Sequence, residues 1–186
     1  MPGRGADKQD CAAARVQARF PDARTVHRLD MATSGLLLMA RGDAALRAIG
    51  SAFAERAVGK RYIAIVDGLP QPAAGSIDFP LAADWPNRPR QRVDQGRGKP
   101  SLTRYRVLSH DAARGQSRLE LEPLTGRSHQ LRVHLLAIGH PIVGDALYAP
   151  PEVAARSPRL LLHATALRLA HQIGRASCRE RVCLAV

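Results

Sequence analysis

The sequence predicts an α+β fold built on a mixed sheet. Two kinds of segment recur along its 186 residues. Short apolar or alternating runs have the length of strands, and other stretches carry apolar residues at helical spacing. The two kinds are interspersed without the strict βαβ alternation of a doubly wound sheet. The length is that of one ordinary domain, and a hydrophobic content of 45% suits a packed core.

Each element has its own local reason. GLLLMA (35–40) is a short apolar run and reads as one buried strand. Asp43 then precedes a stretch with Leu46, Ile49 and Phe53 on one helical face, and its carboxylate is placed to cap that helix. KRYIAIVDG (60–68) is a strand ending in a turn at Asp67-Gly68. In SRLELEPL (117–124), Leu119 and Leu121 alternate with Glu120 and Glu122, the pattern of a half-exposed strand. Ser128 is placed to cap a helix through Ala137, with Leu131, Leu135 and Ile138 on one face and Gly139 at its end. RLLLHATALRLA (159–170) reads as a further strand.

The tail breaks the pattern. IGRASCRERV (173–182) follows a strand abruptly, lacks hydrophobic periodicity and resembles the translated read-through of a sequencing adapter. The expected domain is therefore 1–172, with 173–186 set aside as non-native. That tail holds three Arg and one Glu, so the rest of the chain stays strongly basic. The whole chain has a net charge of +12 and a pI near 11.0. Such a chain attracts polyanions, of which nucleic acid is the commonest, although a basic surface kept for solubility has the same composition. No stretch approaches the ~20 apolar residues of a membrane span, and the N-terminus has no secretory apolar core. A soluble cytoplasmic protein is expected. Cys11, Cys178 and Cys183 form neither a CxxC pair nor an even set, which argues against a disulfide scaffold or a thiolate zinc site.

Four segments carry candidate chemistry. In VHRLDMATSGLLLMAR (26–41), Asp30 stands beside Arg28 and just ahead of a Thr-Ser-Gly turn that feeds a buried strand. A carboxylate presented at a sheet edge is a candidate nucleophile, while an Asp that only caps the turn and pairs with an arginine gives the same string. In PLTGRSHQLRVHLLAIGHPIVGDALYA (123–149), Arg127 and Ser128 lie at a helix N-terminus, where anions are favoured. His129, Arg132 and His134 are candidate RNA contacts; a solvated Arg132 and a core-edge His134 are the plainer alternatives. A zinc site from His129, His134, His140 and His163 matches no metal-ligand spacing. In DWPNRPRQRV (84–93), Arg88, Arg90 and Arg92 are spaced by two and would share one face of an extended strand, with Trp85 as a stacking platform. A solvated loop around a buried Trp is the alternative. In GKRYIAIVDG (59–68), Tyr62 follows two basic residues on a strand, where core packing with the hydroxyl at the rim is the usual role.

Taken together and in this order, the four segments resemble the RluA family of pseudouridine synthases. HRLDxxTSG resembles its catalytic motif, KRYIAIVDG the segment of its active-site tyrosine, and GRSHQLRVHLLAIGHPIVGDALYA its third motif. DWPNRPRQRV followed by GKPSLTRY is similar to the dual-specificity rRNA/tRNA subgroup. The resemblance covers roughly residues 2 to 171. It implies a largely antiparallel sheet with flanking helices around a central RNA cleft. It also implies that Asp30 attacks the target uridine, that Tyr62 stacks on the base and assists proton loss at carbon 5, and that Arg127 pairs with Asp30 and holds it ionised. Arg28 would enter the space left by the uridine. Trp85, Arg88, Arg90, Arg92, His129 and Arg132 would contact RNA. The reaction is an isomerisation that needs no cofactor and no metal, and the family implies a monomer. Members begin with a strand and a Lys-Pro segment ahead of the stretch seen at Pro2-Gly3 and continue past His171, so a fragment lacking edge strands is expected. Two other classes compete with this reading, a non-catalytic RNA-binding module and a histidine metallohydrolase.

Overall fold

The computed structural model describes residues 10–171 and the backbone of a strand at 174–179. The Pro2-Gly3 stretch and the tail residues 172–173 and 180–186 lie outside the described residues. Helix α1 (Ala12–Arg19) packs its Ala13 and Val16 on Ala23 and Met39, the first residues of the paired strands β1 (Ala23–Thr25) and β3 (Met39–Arg41). Between them, β2 (Ser34–Gly35) pairs elsewhere. Helix α2 (Gly42–Ala54) leads to β4 (Gly59–Asp67), and β5 (Ala74–Asp78) follows. A ribbon of β6 (Leu81–Ala83) and β7 (Gln91–Val93) is joined by a 3₁₀ turn at Trp85–Asn87. Then come β8 (Leu102–Asp111), β9 (Gln116–Pro123), α3 (Gln130–Ala137), α4 (Pro151–Ala154), β10 (Leu162–His171) and β11 (Gly174–Arg179). The main sheet runs β11-β10-β4-β9-β8-β5, all antiparallel, and β2 adds a short parallel pairing to β10. This is the α+β mixed sheet that the sequence predicts.

Local expectations fared unevenly. β4 and β9 form as predicted, with Leu119 and Leu121 fully buried. The run 35–40 is not one strand. Its ends belong to different sheets, and Leu36 and Leu38 between them turn into the cluster that α2 covers. Gly35 makes this possible. It adopts φ +113° and lies so close to Ala164 that a Cβ would sit 2.3 Å from the Ala164 carbonyl oxygen. Asp43 does not cap α2; Arg41 holds the cap position, and Asp43 acts within the first turn, where a carboxylate favours the helix dipole. Ser128 likewise does not cap α3, which starts after His129. The tail strand β11 pairs its backbone with β10 over Ala166–His171, although the segment lacks hydrophobic periodicity.

The largest core cluster joins Ala64, Val66, Leu119 and Leu121 of the sheet to Leu131 and Leu135 of α3. A second cluster seats α2 through Ile49 on Leu167 and Leu169. A third, of Leu81, Val133 and Tyr148, fastens the β6–β7 ribbon to α3.

His27 ties the catalytic-motif segment to this core. Its Nε2 accepts the Leu38 N–H at 2.9 Å and its ring stacks on Phe53 at 4.8 Å. Burial, helped by the charge of Lys60, lowers its pKa from 6.5 to about 4. The unfolded chain therefore takes up this proton first. The contribution is complete above pH 6.5 and is lost as pH falls towards 4, an effect of about 3 kcal/mol at most. Urea unfolding at pH 7 and pH 4 will show a smaller acid loss in His27→Gln, whose amide oxygen can still accept from Leu38. Equal losses in variant and wild type would remove His27 from the acid response.

Candidate active site

The site is assembled about one residue of β10. In the parallel pairing Gly35 is opposite Ala164, and in the antiparallel pairing Ala164 is opposite Tyr62. The segment after Asp30 and the tyrosine of β4 are thus laid on either side of the same strand, two strand spacings of ~4.8 Å apart. The Asp30 carbonyl accepts the Thr33 N–H at 2.9 Å, closing a tight turn at the edge of the pocket that Asp30 lines. Ser34 fastens the turn to β10 through a 2.8 Å hydrogen bond with His163 Nδ1.

Asp30, Tyr62, Arg28 and Arg127 all line one open pocket of about 300 Å³. Lys60 also lines it, a residue missed in the sequence. The signal was present, because Lys60 precedes Tyr62 by two positions and so shares its strand face. Lys60 Nζ donates to the Thr125 carbonyl at 3.4 Å. Burial lowers its pKa, and the neighbouring Arg56 charge adds to this. Tyr62 is half-buried, and burial together with the Asp30 charge pushes its pKa up to about 12. Among the described residues Asp30 makes no ion pair. The direct Arg127–Asp30 pair is therefore absent. Arg127 instead donates from Nε to the Pro100 carbonyl at 3.4 Å. Met31, next to the candidate nucleophile, is fully exposed to solvent.

Helix α3 differs most from expectation. Its polar residues are buried along with its apolar ones. Gln130 Oε1 accepts from Thr125 Oγ1 at 2.7 Å and from the Arg127 N–H at 3.0 Å, so it orders the turn that carries Arg127. His134 is fully buried between Thr103 and the Phe79 carbonyl. Arg132, expected among the RNA contacts, is enclosed with 5% of its side chain exposed and grips Asp145 with two hydrogen bonds of 2.8 and 2.5 Å. Burial works against its charge, but Asp145 more than offsets this, with a smaller contribution from Asp30, and the pKa of Arg132 is raised. His129 is half-buried, and burial lowers its pKa despite the opposing charge of Asp30. The four histidines do not converge: His129 bonds Tyr148, His134 bonds Thr103, His140 bonds the Asp67 carbonyl and His163 bonds Ser34. Among the described residues there is no cluster of three metal-ligating side chains.

The arginine segment is a loop, not a strand. The 3₁₀ turn at Trp85–Asn87 and the two prolines, which lack a ladder donor, break the extended run, so only Arg92 lies on β7 and the three arginines do not share a strand face. Trp85 is 68% exposed, with the Arg88 guanidinium stacked 4.4 Å over its ring. Arg90 leans on Tyr148, and Arg92 reaches Asp94 at 3.2 Å.

Comparison with known proteins decides the family. The model of the RNA pseudouridylate synthase family matches residues 4–137. The dual-specificity RNA pseudouridine synthase RluA of Escherichia coli K12 is 52% identical over 171 residues, covering 92% of this chain and 78% of that protein. The chain belongs to the RNA pseudouridylate synthase family. The RluA of Yersinia pestis is 51% identical over 92% of the synthase and 82% of its own length. Among solved structures, human RNA pseudouridylate synthase domain containing 1 superposes with a TM-score of 0.76 at 32% identity, covering 90% of the synthase and 72% of the human chain. The synthase is thus an RluA-type enzyme, an isomerase that makes pseudouridine from uridine in RNA, and the competing binding-module and metallohydrolase readings fall away. Among the described residues no helix is long and apolar enough to cross a membrane.

Proposed function

We propose that Asp30 is the nucleophile of this synthase and that its substrates are stem-loops of large-subunit ribosomal RNA and of tRNA. The observation that carries this is the shared pocket. Asp30 and Tyr62 line one open cavity edged by Arg28, Lys60 and Arg127, with room for one extruded base among cations that attract the phosphates beside it. The carboxylate adds to the target nucleoside and the N1–C1′ glycosidic bond breaks; the uracil turns and forms a C5–C1′ bond as the carboxylate is released, and the proton lost from carbon 5 is balanced by one gained at N1. No atom is gained or lost overall, so no cofactor is consumed. Tyr62 stacks on the base. Its hydroxyl stays protonated through the neutral range, so it assists as a hydrogen-bonding group and not as a standing phenolate. Arg127 and Lys60 supply positive charge across the pocket, and Arg28 fills the gap left by the flipped nucleotide. Trp85, Arg88, Arg90 and Arg92 receive the flanking RNA, with His129 as a further contact. The same reading takes residues 1–172 as a monomeric, cytoplasmic catalytic unit and 173–186 as an extension outside it.

The substrate proposal is tested by incubating the synthase with a tRNA anticodon stem-loop and with a large-subunit rRNA hairpin and quantifying pseudouridine by mass spectrometry. Conversion of both supports dual specificity, conversion of one narrows it, and conversion of neither overturns it. Arginine-loop contacts are read separately from salt. Arg88→Ala and Arg90→Ala will each reduce the slope of log affinity against log salt by about 1 if the residue neutralises one phosphate. An unchanged slope in both variants would take the loop out of the RNA interface.

A further inference from the structure

A single hydroxyl joins the arginine loop to α3. Tyr148 follows Asp145 in a turn, and its ring is buried against Leu81 and Val133. Its oxygen accepts the Gln91 backbone N–H at 2.8 Å, and it lies 2.6 Å from His129 Nδ1. The amide can only donate, and among the described residues Nδ1 is the one acceptor within reach of the phenolic proton, so the arrangement that satisfies the hydroxyl leaves Nδ1 unprotonated. His129 then carries its proton on Nε2, for which no protein acceptor occurs among the described residues. Two guanidinium groups also lie over the tyrosine ring, Arg90 at 5.4 Å and Arg132 at 4.9 Å. His129 itself is held at φ 55° and ψ 17°, a left-handed conformation unfavourable for a residue with a Cβ. The bond to Tyr148 is a specific reason for it to stay there.

We propose that Tyr148 is a positioning residue for RNA recognition: its hydroxyl fixes the arginine loop against α3 and fixes His129 as a neutral Nε2–H donor to the RNA. The inference rests on the reading of the arginine loop and His129 as RNA contacts. The groups facing His129 come from three elements: Asp30 and Arg28 from the catalytic-motif segment, Arg132 from α3, and Asp145 with Tyr148 from the following turn. Burial and the two arginines favour the neutral ring, and the two carboxylates oppose them. The Tyr148 proton adds to the neutral side, because a protonated Nδ1 cannot accept it.

The test uses Tyr148→Phe in the full chain, with steady-state kinetics on a stem-loop RNA and nitrogen-15 spectra of the His129 ring across pH, its signals assigned by their loss in His129→Gln. In the wild type, Nε2 will carry the proton. In Tyr148→Phe the tautomer will become mixed, the His129 titration midpoint will rise, KM will rise about tenfold and kcat will stay within about twofold, the scale of one buried hydrogen bond lost. The wild-type tautomer is read without Tyr148→Phe, so a proton found on Nδ1 overturns the proposal even if that variant fails to fold. Unchanged KM and midpoint in a folded Tyr148→Phe also overturn it. An Arg88→Ala/Arg90→Ala double variant separates the two layers. Wild-type KM there removes the loop reading and the proposal with it; a raised KM there beside an unaffected Tyr148→Phe removes only the joint.

Discussion

Asp30→Asn will lose pseudouridine formation by roughly 10⁴-fold or more while still binding stem-loop RNA, the signature of a removed nucleophile in a site otherwise intact. The substitution is isosteric, and the turn it sits in is closed by the Asp30 backbone carbonyl, so the fold of the segment does not depend on the carboxylate. Removing the negative charge from a pocket that faces a polyanion will leave the dissociation constant unchanged or lower it. The Tyr62 phenol, raised in part by that charge, will relax towards its ordinary value. Binding is measured by filter retention and conversion by mass spectrometry on the same RNA. Conversion at the wild-type rate would take Asp30 out of the mechanism. Loss of binding together with conversion would make it a residue that orders the RNA.

The second large effect is on stability. Asp145→Ala will cost about 3–5 kcal/mol, because it leaves the buried Arg132 guanidinium without its partner. Asp145 does more than neutralise that charge. Its Oδ1 also accepts the Leu147 and Tyr148 N–H groups at 3.0 and 3.2 Å, closing the turn that carries Tyr148. Arg132→Met will therefore cost less than Asp145→Ala, since the carboxylate keeps two amide donors. The double variant Arg132→Met/Asp145→Leu will recover only part of the loss. Urea unfolding gives all three values. A cost below about 1 kcal/mol for Asp145→Ala would mean that the pair behaves as a solvent-exposed one.

The different fates of the arginines show where the sequence was legible. Arg28 and Arg127 reach the pocket because the segments around them are fixed by short-range features: a tight turn after Asp30, and Gln130 folding back on the Arg127 amide three residues away. Arg132 could not be read in the same way. Helical spacing gives it the flank of the face that carries Leu131 and Leu135, and an arginine at such an edge normally reaches water. Here the β6–β7 ribbon and the 145–148 turn close over that face, and a carboxylate thirteen residues away supplies the charge partner. The arginine loop failed for a local reason. A spacing of two aligns side chains only on an unbroken strand, and Pro86 and Pro89 leave β7 just three residues long.

By itself, the sequence determined the class of fold and the strands read at 60–68 and 117–124, which form as β4 and β9, while the association of Asp30 with Tyr62 came from the resemblance of ordered motifs. Those are written in periodicity and in contiguous motifs, which depend on neighbours along the chain. Only the tertiary structure decided that Gly35 and Tyr62 meet on opposite sides of Ala164, that Lys60 joins them, and that Arg132 and His134 support the site from within the core. Those outcomes depend on which surfaces are covered by segments distant in sequence. Water exclusion, and with it the strength of every charge in the pocket, follows from that covering.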